Sequence, residues 1–160
     1  MHGKISKILN VRLFVYDFDG VMTDNTFSLD EHGNEIVSLN RSDGLAVSEI
    51  KKKGYEQIIL STENSQIIKH RSKKLGIQSF IGIENKLRVL NGYLNKKNLR
   101  FSQIAYIGND INDYEAMSLA GVKICPNDAQ KSIKEICDII LDMKGGKGVI
   151  REILFLLTGI

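Results

Sequence analysis

Short apolar runs alternate with longer amphipathic stretches along this chain. The runs at 11–16, 57–60, 79–83, 104–107 and 122–124 are bounded by polar residues or glycine, which predicts buried strands. The stretches at 44–53, 65–75, 86–96, 112–119, 129–136 and 149–157 carry apolar residues at helical spacing. This alternation predicts a three-layer α/β/α, Rossmann-like fold with a parallel sheet, in which ligands bind at the carboxyl ends of the strands.

Residues 26–40 break the alternation. The tetrapeptide EHGN at 31–34 separates two pieces with apolar side chains, which predicts a β-hairpin inserted before the first helix. These apolar side chains are Phe27, Leu29, Ile36 and Leu39. A two-stranded hairpin is marginally stable alone in water, so we expect it to pair with another surface, for which a neighbouring subunit is one candidate.

The composition indicates an ordinary globular protein, and we expect one domain over residues 1–160. Its residues are 42% hydrophobic and 26% charged, and the chain is long enough to bury a core. No apolar run has transmembrane length and the N-terminus lacks signal-peptide features, so we expect a cytoplasmic protein that binds no membrane. A net charge of +3 is too small to indicate nucleic-acid binding. The lysine-rich stretches 51–53 and 69–74 are typical of solvated helix faces, although attraction of an anionic substrate is an alternative.

Polar side chains follow the predicted strands at the points where they end. They are Asp17 and Asp19 after the first strand, Ser61, Thr62 and Glu63 after the second, Lys86 after the third, and Asp110 and Asp113 after the fourth; Gly20 directly follows Asp19. Each group alone is typical of a turn or a helix cap. Because parallel strands end at one edge of a sheet, the groups together predict a functional site.

The carboxylates of this edge predict a magnesium site. Clustered carboxylates repel one another unless a cation neutralises them. The histidines show no metal-ligand spacing, and Cys125 and Cys137 are expected to be buried free thiols, so an all-oxygen ligand set indicates Mg²⁺. We expect Asp17 and Asp110 as ligands together with a backbone carbonyl near Asp19, and Asp113 in support.

The same residue types are those that phosphoryl transfer requires. A strand-terminal Asp17 can act as the nucleophile and form an aspartyl-phosphate. Asp19, two residues later, can protonate the leaving oxygen and then activate water. Ser61 or Thr62 can bind the phosphate with backbone N–H groups, and Lys86 can neutralise developing charge. Gly20 permits a close backbone approach.

Four motifs resemble those of the haloacid-dehalogenase-like phosphatase superfamily: DFDGVMT at 17–23, Ser61, Lys86, and GNDIND at 108–113. The resemblance implies the same nucleophile, acid/base and Mg²⁺ requirement. With a hairpin but no cap domain, and with GGKGVIRE at 145–152, the chain is similar to the cap-less branch that acts on sugar-acid phosphates. This implies hydrolysis of a phosphorylated 3-deoxy-2-ulosonic acid, either octulosonate 8-phosphate or a nonulosonate 9-phosphate. It also implies a homotetramer assembled through the hairpins.

Two positions bear on the substrate within this branch. Octulosonate enzymes typically have Gly-Arg after the second motif, whereas this chain has Thr62-Glu63, and an acidic residue there resembles the nonulosonate branch. Asn109 stands where these phosphatases often have aspartate. Both departures concern substrate specificity.

Further residues could contact the sugar acid. The Gly-rich tail at 144–160 carries Arg151, which could bind a carboxylate or phosphate bidentately, in its own subunit or a neighbouring one; the alternative is a surface arginine after a helix-entry loop. Ser42 and Asp43 could face the sugar or could cap the first helix.

Two other function classes fit part of the pattern. A receiver-like phospho-acceptor shares the aspartate, hydroxyl, lysine and Mg²⁺ site, but it does not need Asp19 as an acid/base. A catalytically weak, tetramer-forming module of the kind associated with acylneuraminate cytidylyltransferases is the second alternative. The presence of Asp17, Asp19, Lys86 and Asp110 argues against such a module.

Overall fold

The structure, a computed structural model, describes residues 8–160. Its strands are β1 Leu13–Tyr16, β2 Ser28–Leu29, β3 Glu35–Ile36, β4 Glu56–Leu60, β5 Gln78–Phe80, β6 Ile104–Ile107, β7 Val122–Cys125 and β8 Ile139–Ile140. Its α-helices are α1 Arg41–Lys52, α2 Gln66–Leu75, α3 Lys86–Lys97, α4 Tyr114–Leu119, α5 Lys131–Ile136 and α6 Val149–Thr158. Short 3₁₀ helices cover Phe101–Gln103 and Ile111–Asp113.

The main sheet is parallel, with strand order β5-β4-β1-β6-β7-β8. β1 pairs with β4 on one side and with β6 on the other, and all its residues are buried because helices cover both faces. One apolar core, with Phe14 and Ile107, lies on one face, and a second, with Val15 and Tyr106, lies on the other. The predicted three-layer fold with a small hairpin is confirmed.

Element boundaries differ from the sequence prediction where local turns intervene. β5 ends at Phe80, before Gly82, whose positive φ of 62° turns the chain out of the sheet. The sequence analysis missed β8, since two apolar residues at a sheet edge give no detectable alternation. The hairpin is present, but its paired strands have only two residues each.

The cap of α1 is also different from the prediction. Asn40 is the N-cap, and its Oδ1 accepts hydrogen bonds from the backbone N–H and the hydroxyl of Ser42 at 2.8 and 2.7 Å. The interpretation of Ser42 or Asp43 as the cap is therefore wrong. Asp43 is buried, and its Oδ1 accepts the backbone N–H of Arg151, at the start of α6, at 3.0 Å.

Among residues 8–160, no helix combines the length and the apolar character that a membrane crossing requires.

Replacing Phe14 with alanine tests the packing of the central strand. The Phe14 ring is fully buried and meets Tyr55 edge-to-face at a centroid distance of 5.4 Å. We expect the free energy of unfolding, measured by urea denaturation, to fall by about 3–5 kcal/mol because a large cavity forms. Phe155→Ala is the control; this side chain is 54% exposed, and we expect a change of about 0.5 kcal/mol or less. Equal losses in the two variants would contradict this assignment of the core.

Candidate active site

Asp17 directly follows β1 at the carboxyl edge of the sheet. Its backbone N–H donates to the carbonyl of Ile107 at 2.9 Å, so the strand pairing continues through this residue. Its side chain is buried, and Oδ1 accepts a hydrogen bond from Nζ of Lys86 at 2.7 Å. The carboxylate is therefore held by a rigid strand on one side and by a cation on the other.

Lys86, the first residue of α3, joins two buried carboxylates. Its Nζ donates at 2.7 Å both to Oδ1 of Asp17 and to Oδ1 of Asp113. Asp113 also accepts the hydroxyl of Tyr106 at 2.8 Å and the backbone N–H of Asn109 at 2.9 Å. Burial, with the charges of Asp113 and Asp17, raises the pKa of Tyr106, so its hydroxyl remains a donor. The network fixes the positions of α3, β1 and β6 relative to one another.

The charges of this network shift the pKa values of its members. Burial and the negative charge of Asp113 raise the pKa of Asp17, and Lys86 only partly opposes this. Burial tends to lower the pKa of Lys86, but the attraction of Asp17 and Asp113 raises it above its ordinary value. Lys86 is thus a fixed cation. A second cation beside Asp17 would favour the ionised carboxylate that a nucleophile needs.

Asp19 also lies at this edge of the sheet, but it is more exposed to solvent than Asp17. The hydroxyl of Thr23 lies 3.3 Å from Oδ1 of Asp19 and donates to it. Partial burial raises the pKa of Asp19 against the opposing effect of this hydrogen bond, and the charges of Glu63 and Glu35 raise it further. A carboxyl group with a raised pKa keeps its proton to a higher pH, as a general acid requires.

A cavity of about 400 Å³ opens in front of these two aspartates. Of the residues predicted from the sequence, it is lined by Asp17, Asp19, Ser61, Thr62, Glu63 and Asp110. Gly20, Lys86 and Asp113 are close to these residues but do not line the cavity. Ser42 and Arg151 line a different cavity, against α6, and the buried side chain of Asp43, in α1, accepts the N–H of Arg151. The structure thus brings most of the predicted residues together, but not these last three.

The polar groups of the cavity wall differ in how far they are engaged. The hydroxyl oxygen of Ser61 is buried and accepts the backbone N–H of Glu63 at 3.1 Å. Oδ1 of Asp110 accepts the N–H of its neighbour Ile111 at 2.7 Å, which begins the 3₁₀ turn after β6. Asp113 is fully buried and serves the lysine network instead of the cavity.

Asn109 completes the candidate cation site at this edge, a role that the sequence analysis did not assign to it. Its side-chain amide faces Oδ2 of Asp17 and the backbone carbonyl oxygen of Asp19; with its nitrogen on this side it donates to both, at 3.1 and 2.9 Å. In the opposite orientation, the amide oxygen of Asn109 faces Oδ2 of Asp17 and the carbonyl oxygen of Asp19. These three oxygens only accept hydrogen bonds, and they lie close together. Such an all-oxygen set fits Mg²⁺. Among residues 8–160, no three His, Cys, Asp or Glu side chains form a metal-ligand group, so the fit depends on this amide and carbonyl.

Gly20 is required for this arrangement. It has a positive φ of 82°, and a Cβ atom there would collide with the amide of Asn109. Because Gly20 has no Cβ atom, the side chain of Asn109 can pack directly against the backbone of Gly20.

A glycine strap, residues 145–148, holds the loop that follows Asp19. The backbone N–H of Gly146 donates to the carbonyl of Val21 at 3.0 Å, and that of Gly145 donates to Oδ1 of Asp128 at 2.9 Å. A Cβ atom on Gly145 would collide with the carbonyl oxygen of Gly20, so only glycine fits. The strap fixes the loop that contains Thr23, which donates to Asp19.

Sequence reasoning missed Tyr106, Thr23 and Glu35 as residues of this site, and it connected Asn109 with substrate specificity but not with the metal. Asn109 adjoins Asp110 in the GNDIND motif, so its proximity to Asp110 was the available signal. In the sequence, Tyr106 is indistinguishable from the other apolar positions of a buried strand. Only the structure shows that its hydroxyl donates to Asp113. Glu35 belongs to the hairpin, whose position over the cavity depends on tertiary packing.

Known proteins resemble the chain over almost its whole length. A family model described as haloacid dehalogenase-like hydrolase matches residues 23–153. The 3-deoxy-D-manno-octulosonate 8-phosphate phosphatase KdsC of Haemophilus influenzae is 31% identical over 147 residues, which are 91% of this chain and 82% of the relative. KdsC of Escherichia coli K12 is 29% identical over 154 residues, which are 96% of this chain and 82% of the relative.

A solved structure of the same kind superimposes closely. The 3-deoxy-D-manno-octulosonate 8-phosphate phosphatase from Moraxella catarrhalis, in complex with a magnesium ion, a phosphate ion and KDO, has a TM-score of 0.94 at 29% identity. The alignment covers 99% of this chain and 92% of that chain.

Replacing Lys86 with glutamine tests the lysine network. The variant keeps a hydrogen-bonding side chain but leaves Asp17 and Asp113 as buried like charges without a cation. We expect the free energy of unfolding at pH 8 to fall by about 3–5 kcal/mol, as measured by denaturant titration. The loss should be smaller at pH 5, because protonation of a carboxyl group with a raised pKa removes the uncompensated charge.

Lys97→Gln is the matched control. Lys97 pairs with Glu56 at 2.9 Å, but both side chains are over 40% exposed, at 42% and 45%. We expect only a marginal loss, because solvent screens an exposed ion pair. If Lys86→Gln costs no more than this control, the buried ion pairs do not organise the site.

Proposed function

Because the chain belongs to the haloacid dehalogenase-like hydrolases, we propose that it hydrolyses a phosphorylated 3-deoxy-2-ulosonic acid through an aspartyl-phosphate on Asp17. It is a phosphoric monoester hydrolase, and Mg²⁺ is its cofactor. The observation that carries the mechanism is the Asp17 carboxylate, fixed by Lys86 at 2.7 Å at the wall of the cavity, with Asp19 beside it. Octulosonate 8-phosphate and nonulosonate 9-phosphates are the proposed substrates.

The first step is attack of an Asp17 carboxylate oxygen on phosphorus. The new oxygen–phosphorus bond forms as the bond between phosphorus and the sugar oxygen breaks. Asp19 gives its proton to that departing oxygen, which its raised pKa favours. Lys86 stays charged and stabilises Asp17 before and after the transfer.

The second step releases phosphate. Asp19, now ionised, removes a proton from water, and the resulting hydroxide attacks phosphorus and frees Asp17. Mg²⁺, when bound, neutralises negative charge on the transferring phosphoryl group. Asp17, the carbonyl of Asp19 and the amide of Asn109 would hold it. Asp110 lines the same cavity and stays a candidate ligand. Asp113 contributes through Lys86.

The hydroxyl and backbone groups at the end of β4 are proposed to bind the phosphate. Ser61 and Thr62 both line the cavity, and the Ser61 hydroxyl is held in place by the N–H of Glu63. Ser42, Asp43 and Arg151 lie away from this cavity, so their predicted contact with the sugar acid remains a proposal that requires a neighbouring subunit or a movement of α6.

We further propose a homotetramer formed through the hairpins. In the hairpin, the apolar side chains of Phe27, Leu29 and Ile36 are 57%, 61% and 59% exposed. Exposed apolar side chains grouped in one segment are typical of an interaction surface. Burial against another subunit would account for this exposure.

The chain is proposed to act as a single domain in the cytoplasm, where free thiols such as Cys125 and Cys137 stay reduced.

Replacing Asp17 with asparagine tests the proposed nucleophile. We expect Mg²⁺-dependent phosphate release from octulosonate 8-phosphate and nonulosonate 9-phosphates to fall by at least about 10³-fold, because the amide cannot form the acyl phosphate. Removal of the metal with EDTA should have a comparable effect, and added Mg²⁺ should restore activity. Phosphate release is measured colorimetrically across the substrate panel.

Asp142→Asn serves as the control for Asp17→Asn. Asp142 is exposed and does not line the cavity that contains Asp17, so the activity of Asp142→Asn should equal that of the wild type. Full turnover by Asp17→Asn would exclude the aspartyl-phosphate, and no turnover of any substrate by the wild type would favour an inert module.

Replacing Ile36 with lysine tests the proposed assembly. A charge on the exposed hairpin face should reduce the mass measured by light scattering, because an unpaired charge would be buried in the interface. Ile140→Lys, at a position 48% exposed on the sheet edge, should leave the mass unchanged. A wild-type protein that is monomeric at micromolar concentration would rule out the tetramer.

A further inference from the structure

The wall of the catalytic cavity is strongly acidic. Five carboxylate side chains line it, those of Asp17, Asp19, Glu35, Glu63 and Asp110, and no lysine or arginine is among the lining residues that the structure describes. Lys86 lies behind Asp17, and its ammonium group is already shared between two carboxylates. A phosphate ester brings further negative charge, so the ligand and the wall have the same sign beyond the metal site.

Glu35 contributes to this wall from the hairpin. In β3 it pairs with Leu29, and side chains alternate between the two faces of a strand. Glu35 and Val37 accordingly line the cavity, whereas Ile36 between them does not and is exposed. The hairpin therefore directs the carboxylate of Glu35 toward the reaction centre and the side chain of Ile36 away from it.

The carboxylates of Glu35 and Glu63 are available to a ligand. Within residues 8–160, neither of these two carboxylates accepts a hydrogen bond or forms an ion pair. Both side chains line the same cavity as Asp17 and Asp19, so they lie near the reacting atoms. They approach the cavity from two different elements, the hairpin and the loop after β4.

We propose that Glu35 is a specificity-determining residue of this phosphatase. Together with Glu63 it accepts hydrogen bonds from hydroxyl groups next to the phosphate, and it excludes compounds with a second negative charge at that position. This inference rests on the proposed function and narrows its substrate class. The favoured substrate is a polyhydroxy phosphate monoester whose other anionic group lies at the far end of the carbon chain.

The physical basis is the difference between a hydroxyl and a carboxylate at one position. An ionised glutamate only accepts hydrogen bonds, which suits the O–H donors of a polyol. A ligand carboxylate in the same place would meet like charges in a partly desolvated cavity, where screening is weaker than in water. Repulsion of unwanted ligands of this kind is a common source of specificity. In a terminally phosphorylated ulosonic acid, the carboxylate is remote from the phosphate and avoids the two glutamates.

The test compares two ligands that differ in one group. Non-hydrolysable phosphonate analogues of glycerol 3-phosphate and 3-phosphoglycerate have the same length, and they differ only in a hydroxymethyl or carboxylate group that lies close to the phosphate. Their Kd values are measured by calorimetry with Mg²⁺ present, for the wild type, Glu35→Gln and Glu31→Gln. Glu31→Gln is the matched control, since Glu31 lies in the same hairpin, 88% exposed and outside the cavity lining.

We expect the wild type to bind the polyol analogue at least about tenfold more tightly than the acid analogue. Glu35→Gln should reduce this ratio by about three- to tenfold, mainly through tighter binding of the acid, and Glu31→Gln should leave the ratio unchanged. The wild-type ratio should also fall as ionic strength rises, which a purely structural role of Glu35 would not produce. Glu63→Gln, which leaves the hairpin intact, should shift the ratio in the same direction.

An unchanged ratio in Glu35→Gln, or an equal change in Glu31→Gln, would overturn the inference. Because binding is measured without turnover, this outcome is independent of the proposed function. Hydrolysis of a long sugar-acid phosphate with an unchanged binding ratio refutes only the role of Glu35. A normal shift of the ratio in a protein that hydrolyses no phosphate ester would refute the proposed function alone.

Discussion

The buried ammonium of Lys86 between Asp17 and Asp113 is the interaction on which the site depends. Removing three charged groups from water is costly, and the cost is offset only because both carboxylates lie at 2.7 Å from one cation and Tyr106 supplies a further hydrogen bond. The carboxyl ends of β1 and β6 and the start of α3 must meet within hydrogen-bonding distance for this to occur. The geometry of the nucleophile is thus set by the packing of the sheet against one helix.

The sequence was sufficient to predict the architecture and the centre of the site. Buried strands of a parallel sheet are nearly continuous apolar runs; Asp17 and Ser61 directly follow such runs, and Asp110 follows one after Gly108 and Asn109. The roles of Asn109 and Tyr106 could not be predicted, since they depend on where an amide and a hydroxyl point after folding. The cap of α1 was misplaced because Asn40, Ser42 and Asp43 are all good cap residues, and tertiary contact with α6 engages Asp43 elsewhere.

The hairpin connects two properties of the molecule that look separate in the sequence. Strand alternation gives it one face toward the cavity, with Glu35 and Val37, and another toward solvent, with Ile36. A protein surface that packs on the face with Ile36 would also fix the positions of Glu35 and Val37 at the cavity. This provides a means to shape the cavity entrance with a segment of only two short strands.

The glycine strap has a consequence for the order in which the protein is made. The backbone N–H of Gly146 donates to the carbonyl of Val21, although the two residues lie 125 positions apart in the chain. On the ribosome, the loop after Asp19 emerges early and lacks this partner until almost all of the domain has been synthesised. The nascent domain would therefore lack this hydrogen bond to its acid/base loop until Gly146 has left the exit tunnel.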